Sequence, residues 1–141
     1  MKNTSRKPHI DIAKILSQLT FEEETKMVTD SYYAQGYSGE FGRTAHFTMD
    51  ISSNSPSVIL HTPAYTNFML YGRKPGRMPP LEPIESWMEE KGLEGSSFAI
   101  RKHIAEFGTT GNDFLTPVLG QVKENIVQKI QTAISNAISS K

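Results

Sequence analysis

The sequence predicts an α+β domain in which a small antiparallel sheet packs with a long C-terminal helix and several shorter helices. Two observations carry the sheet. In residues 45–51, Ala45, Phe47, Met49 and Ile51 alternate with His46, Thr48 and Asp50, the period-two signature of a half-buried strand. After a turn-rich SSNSP comes a β-branched run, SVILHT, so residues 43–62 read as a hairpin. The third observation is the wide apolar arc of the last segment: Val118, Leu119, Val122, Ile126, Val127, Ile130, Ala133, Ile134, Ala137 and Ile138 recur at helical spacing.

In chain order, residues 1–8 are a polar, charged lead expected to be mobile. Ile12, Ile15, Leu16 and Leu19 mark a first helix. Thr20 and Glu23 fit a capping box for a second helix over about 21–34, with Met27, Val28 and Tyr32 inward and Gly36 as its stop. Residues 37–42 (YSGEFG) read as a loop. After the hairpin, Pro63 suits the first turn of a short aromatic helix carrying Tyr65, Phe68, Met69 and Tyr71, ended by Gly72.

Residues 72–80 (GRKPGRMPP) hold three cations and three prolines, so this loop is expected to be stiff and to stay out of any sheet. Pro83 opens a helix with Ile84, Trp87 and Met88 on one face and Glu85, Glu89 and Glu90 on a solvated face. Gly92 ends it. Ser96 or Ser97 caps the next helix, which carries Phe98, Ile100, Ile104 and Phe107; Trp87 is expected in the core with Phe68, Phe98 and Ile104. Asn112 or Asp113 then caps the last helix, at 113–139 in outline and mainly 114–138, about 37 Å at 1.5 Å per residue. Either the first two helices lie against it or a neighbouring subunit does.

The chain has 141 residues, which fits one domain over 1–141. Lys+Arg and Asp+Glu balance at 15 each, arguing against a generic nucleic-acid or membrane-surface binder. A hydrophobic content of 37% is low for an independent globule. Long elements that finish burying their surface in an assembly would explain this, and so would polar tails and loops. There is no cysteine, which removes thiolate nucleophiles, disulfides and Cys-ligated zinc together. The N-terminus lacks the apolar stretch of a signal peptide, and no window approaches the roughly 18 apolar residues of a membrane span, so a soluble, non-exported protein with no membrane partner is expected.

No catalytic, cofactor-binding or metal site emerges from the residue spacings. His9, His46, His61 and His103 form no HxH, HxxxH or HExxH pattern. His46 and His61 could face each other across the hairpin and share an ion, but solvent-facing hairpin polars are the plainer reading. Glu22, Glu23 and Glu24 fall in a first helical turn, where carboxylates favour the helix dipole. The loop GRKPGR lacks the GxxxxGK[ST] spacing of a phosphate loop. Arg73, Lys74 and Arg77 can contact DNA phosphates, an acidic protein surface or only solvent, and the acidic protein surface is the preferred functional reading. Ile126, Ile130 and Ile134 on the long helix are the apolar partner-contact candidates.

The order Tyr71-Gly72-Arg73-Lys74-Pro75-Gly76-Arg77-Met78-Pro79-Pro80, then Ile84, Trp87, Lys91-Gly92, Phe98-Ala99-Ile100-Arg101-Lys102, Ile104-Ala105, Gly108-Thr-Thr-Gly111 and Phe114, resembles a family of tailed bacteriophages and prophages. These are the head–tail joining or tail-completion (neck, minor tail) proteins. The likeness covers residues 65–119, about two fifths of the chain. It implies an α+β fold, no enzymatic activity and no cofactor. It further implies a homo-oligomeric ring in the virion, docked between portal or adaptor and tail proteins around the channel through which DNA passes. The alternative from the residues is a small DNA-binding module using Arg73, Lys74, Arg77, Arg101 and Lys102.

Overall fold

The computed structural model describes residues 10–139, in which seven helices and four short strands follow one another. They are α1 (Ile12–Ser17), α2 (Glu22–Tyr33), α3 (Glu40–Thr44), β1 (His46–Asp50), β2 (Ser57–His61), α4 (Thr66–Tyr71), β3 (Gly72–Arg73), α5 (Leu81–Lys91), α6 (Ser97–Phe107), β4 (Thr109–Thr110) and α7 (Thr116–Ser139). The class is α+β, as the sequence predicts. The polar lead over residues 1–8, expected to be mobile, lies outside the described residues.

The hairpin forms with β1 antiparallel to β2 and His46 opposite His61, Thr48 opposite Ile59 and Asp50 opposite Ser57. On the other side of this ribbon Phe47 and Leu60 pack against the main core. That core is built from α2, α3, α4 and the start of α7. Its centre is an aromatic knot: Tyr32 lies 4.8 Å from Phe41 and 5.6 Å from Phe114, and Phe41 meets Phe114 edge-on at 5.1 Å. A second cluster of Ile84, Met88 and Ile104 joins α5 to α6. Trp87 packs against both clusters and meets Phe68 edge-on at 5.2 Å.

The first two helices do lie along α7. Lys129 of α7 holds α2 and the link before it: its ammonium is 2.5 Å from Glu24 Oε1 and 2.6 Å from the Thr20 carbonyl oxygen, and stands 5.1 Å over the Phe21 ring. α7 begins at Thr116, later than the expected 113 or 114, because Phe114 and Leu115 turn into the core first. Asp113, rather than Asn112, supports its start, accepting from the Leu115 and Thr116 amides at 3.1 and 3.0 Å. Asn112 instead donates its backbone amide to the Met69 carbonyl at 2.8 Å.

Several expectations need correction. The Thr20–Glu23 capping box does not form: Phe21 is the residue before α2, no side chain caps it, and burying Phe21 takes precedence over placing Thr20 there. Residues 37–42 are not simply a loop, because Phe41 enters the core and draws Glu40–Thr44 into a short helix. The chain beyond Tyr71 does join a sheet, since the first two loop residues precede the prolines and keep their donors. α5 opens at Leu81, with Pro80 before it, and Pro83 merely falls within its first turn. Phe98 is 60% exposed and takes no part in the Trp87 cluster.

Candidate functional site: a braced basic loop

The basic loop is anchored by two crossing backbones. α4 ends at Gly72 with φ 71°, and the chain turns to pair Gly72 with Thr110 and Arg73 with Thr109. Gly108 ends α6 with φ 74°. A Cβ on Gly72 would run into the Thr109 carbonyl oxygen, and one on Gly108 into that of Arg73. Both glycines are therefore needed, for left-handed φ and for close backbone approach.

Two further bonds brace the loop against α6. The Gly76 amide donates to the Ala105 carbonyl at 2.8 Å, and Arg101 Nε donates to the Pro79 carbonyl at 2.8 Å. Within the loop, Arg73 Nη2 donates to the Arg77 carbonyl at 3.3 Å. Pro79 is buried, while Lys74 and Arg77 are exposed and Arg73 is half-buried. Among the described residues the ion pairs are Lys26–Asp30 and Lys129–Glu24, so the charges of Arg73, Lys74 and Arg77 are not neutralised by a carboxylate. Arg101 is half-buried and serves as a brace, whereas Lys102 beside it is exposed. A shallow cleft of about 470 Å³ adjoins the loop, lined by Phe68, Tyr71, Arg73, Pro79, Pro80 and Ile84 among others. It presents aromatic and proline faces beside one cation.

Two acids are buried: Glu90, expected on a solvated helix face, and Glu24, expected only to favour the dipole of a first helical turn. Glu90, 7% exposed, accepts from the hydroxyls of Tyr32 and Tyr65 and from the Phe41 amide at 3.3 Å; the Tyr32 hydroxyl in turn accepts from the Gly39 amide at 2.7 Å. Burial pushes the Glu90 carboxyl above its ordinary range, opposed by backbone donors of Phe41, Glu40 and Gly39. Burial likewise pushes the Tyr65 hydroxyl up to about 12. This enclosed cluster ties α5 to the main core. Glu24 is 1% exposed and paired with Lys129. A signal for it is present in the spacing: Glu24, Val28 and Tyr32 are four apart, on one face of α2. Glu90 stands three residues after Trp87, at the edge of the apolar stripe of α5.

Among the contact candidates on α7, Ile126 is half-buried and packs on the main core, and Ile130 and Ile134 are half-buried. The helix is covered on one side: Val122 is its one fully buried residue, while Leu119, Val127 and Ile138 are exposed. Between α7 and the hairpin runs an apolar groove of about 330 Å³ lined by Phe47, Val58, Leu119, Val122, Lys123, Ile126 and Val127. Among the described residues no group of three or more His, Asp or Glu is placed to hold a metal, and no helix is long and apolar enough to cross a membrane.

No protein-family model, curated protein or solved structure matches the chain.

Proposed function

We propose that this chain is a structural subunit of a tailed-bacteriophage virion, a head-to-tail connector that forms a ring between the portal or adaptor and the tail. The observation that carries the reading is the half-covered α7. α1 and α2 take one side of it, and the apolar groove between α7 and the hairpin stays open with exposed Leu119 and Val127 on its rim. Closed rings need two different patches that meet on successive copies. The groove supplies an apolar patch of the right kind for one of them, and the resemblance over residues 65–119 points to the same class.

The braced loop fits the same role from another side. Its prolines, the β3–β4 pairing and the bonds at Gly76 and Pro79 leave little freedom to lose on docking, so its three cations meet an acidic partner at reduced entropic cost. Native mass spectrometry of the chain alone and with a portal–adaptor assembly tests the proposal. A ring is expected, either from the chain alone or templated by the assembly; a monomer that ignores the assembly refutes it. A DNA-binding module would instead give affinity that falls steeply with salt and is lost in the Arg73→Ala, Lys74→Ala, Arg77→Ala triple variant.

A further inference from the structure

We infer that His46 and His61 form a binding site for a divalent transition-metal ion of the imidazole-preferring class, Zn2+, Ni2+ or Cu2+. The inference goes beyond the ring-subunit reading and does not rest on it. The register of the hairpin sets the two residues directly opposite one another. Their rings are exposed and nearly parallel, 13° apart in plane and 4.8 Å between centroids. An ion bonded to two imidazole nitrogens at about 2.0–2.1 Å each spans up to roughly 4 Å between them; because the lone pairs lie in the ring planes, the exposed rings must rotate out of the stack to turn two nitrogens onto one ion.

Each ring already has one nitrogen engaged by a nearby oxygen. His46 Nδ1 lies 2.8 Å from the Thr44 carbonyl oxygen. A carbonyl only accepts, so Nδ1 carries the hydrogen and Nε2 presents its lone pair. A ring N–H given to a backbone carbonyl is the outer contact that orients metal-ligating histidines and raises their basicity. His61 Nε2 lies 2.7 Å from Thr48 Oγ1 on the opposite strand; in the tautomer in which Nε2 donates to that hydroxyl, Nδ1 presents its lone pair to an ion. Two imidazoles make an open site, with the remaining positions left to water or to a neighbouring molecule. Such nitrogen ligands favour Cu2+, Ni2+ and Zn2+ over the oxygen-seeking Mg2+ and Ca2+.

The competing explanation is a cross-strand pair that only supports the hairpin. Titrating the full chain with ZnCl2, read by calorimetry and histidine-ring NMR, separates the two. The expected result is a single Zn2+ per chain that shifts the His46 and His61 rings together, leaves the His103 ring in place and is not mimicked by Mg2+. His46→Gln and His61→Gln should each weaken binding by about tenfold or more, while His9→Gln should leave it unchanged. Thr48→Val keeps both rings and removes one anchor, so it should weaken binding less than either histidine change, even if a histidine variant loosens the hairpin. The inference is overturned by absence of binding at millimolar Zn2+, by shifts spread over all histidines, or by undiminished binding in both Gln variants.

Discussion

Replacing Glu90 with alanine should be among the most damaging single changes in the chain. Three donors converge on its carboxylate: the hydroxyls of Tyr32 and Tyr65 and the Phe41 amide. Tyr32 is fully buried and Tyr65 nearly so, and the Tyr32 hydroxyl also receives the Gly39 amide. Stranding a buried donor costs about 1–3 kcal/mol, and water entering the vacated space recovers part of that. A loss of about 3–5 kcal/mol is expected for Glu90→Ala, against about 1–2 kcal/mol for Glu90→Gln, which keeps volume and one acceptor oxygen. Urea unfolding followed by tryptophan fluorescence measures both. A loss below about 1 kcal/mol for Glu90→Ala at unchanged slope would show that the hydroxyls find partners elsewhere and would refute the reasoning.

The same group predicts a pH dependence. Burial holds the folded carboxyl above 4.5, so between 4.5 and its folded value the folded state binds more protons than the unfolded one. Stability contributed by Glu90 is therefore full below 4.5 and falls as pH rises through that window. Asp50 and Asp113 are shifted the other way, chiefly by side-chain hydrogen bonds from Ser52 and Thr116. Their contributions are present above 3.8 and are lost as pH falls below it. In Glu90→Gln the slope above 4.5 should flatten while the acid limb below 3.8 persists.

Lys129→Ala should cost about 3–5 kcal/mol in urea unfolding, because it leaves the buried Glu24 carboxylate without its cation; the double change Glu24→Leu, Lys129→Met should restore most of that stability. Gly72→Ala should destabilise far more than the ~1 kcal/mol of an ordinary glycine change, since it strains φ 71° and drives a methyl into the Thr109 carbonyl; hydrogen exchange of the Gly76 amide reports whether the loop has come off α6. Trp87→Ala should cost about 2–4 kcal/mol by thermal or urea melting, somewhat below a fully enclosed tryptophan because the residue is half-buried between two clusters.

Periodicity makes the hairpin, its histidine pairing and the long helix legible, because each depends on residues adjacent in sequence. The buried faces of α2 and α5 are legible in their apolar members, Val28, Tyr32, Ile84 and Met88. Of their carboxylates, Glu24 is marked only by its four-residue spacing to Val28 and Tyr32, and Glu90 sits at the stripe's edge; nothing local announces the partner of either. The partner of Glu24 lies 105 residues away on α7, and the hydroxyls that enclose Glu90 come from 58 and 25 residues away. The β3–β4 pairing is hidden for a related reason. Prolines argue against a sheet only where they sit, and Gly72-Arg73 precede them; Gly72 reads as a helix stop, although the closer constraint on it, as on Gly108, is the close backbone approach it permits.

That backbone pairing bears directly on the proposed docking role. A basic loop held only by its own prolines would be stiff internally yet free to swing about its ends. Here the β3–β4 pairing fixes one end, Arg101 holds Pro79 at the other and Gly76 is tied to α6 between them. Of the five cations that the sequence groups together, Arg101 is therefore a brace and Arg73 is half-engaged, leaving Lys74, Arg77 and Lys102 as the exposed charges. If the loop docks on an acidic partner as proposed, removing Arg101 should weaken that binding by loosening the loop, whereas removing Lys74 or Arg77 should weaken it by removing charge. The two effects separate by salt: only the second should fade as ionic strength rises and screens the exposed charges. If Arg101→Gln and Lys74→Gln variants lose affinity with the same salt dependence, the brace and the contact are not distinct and the loop acts as a simple cluster of charge.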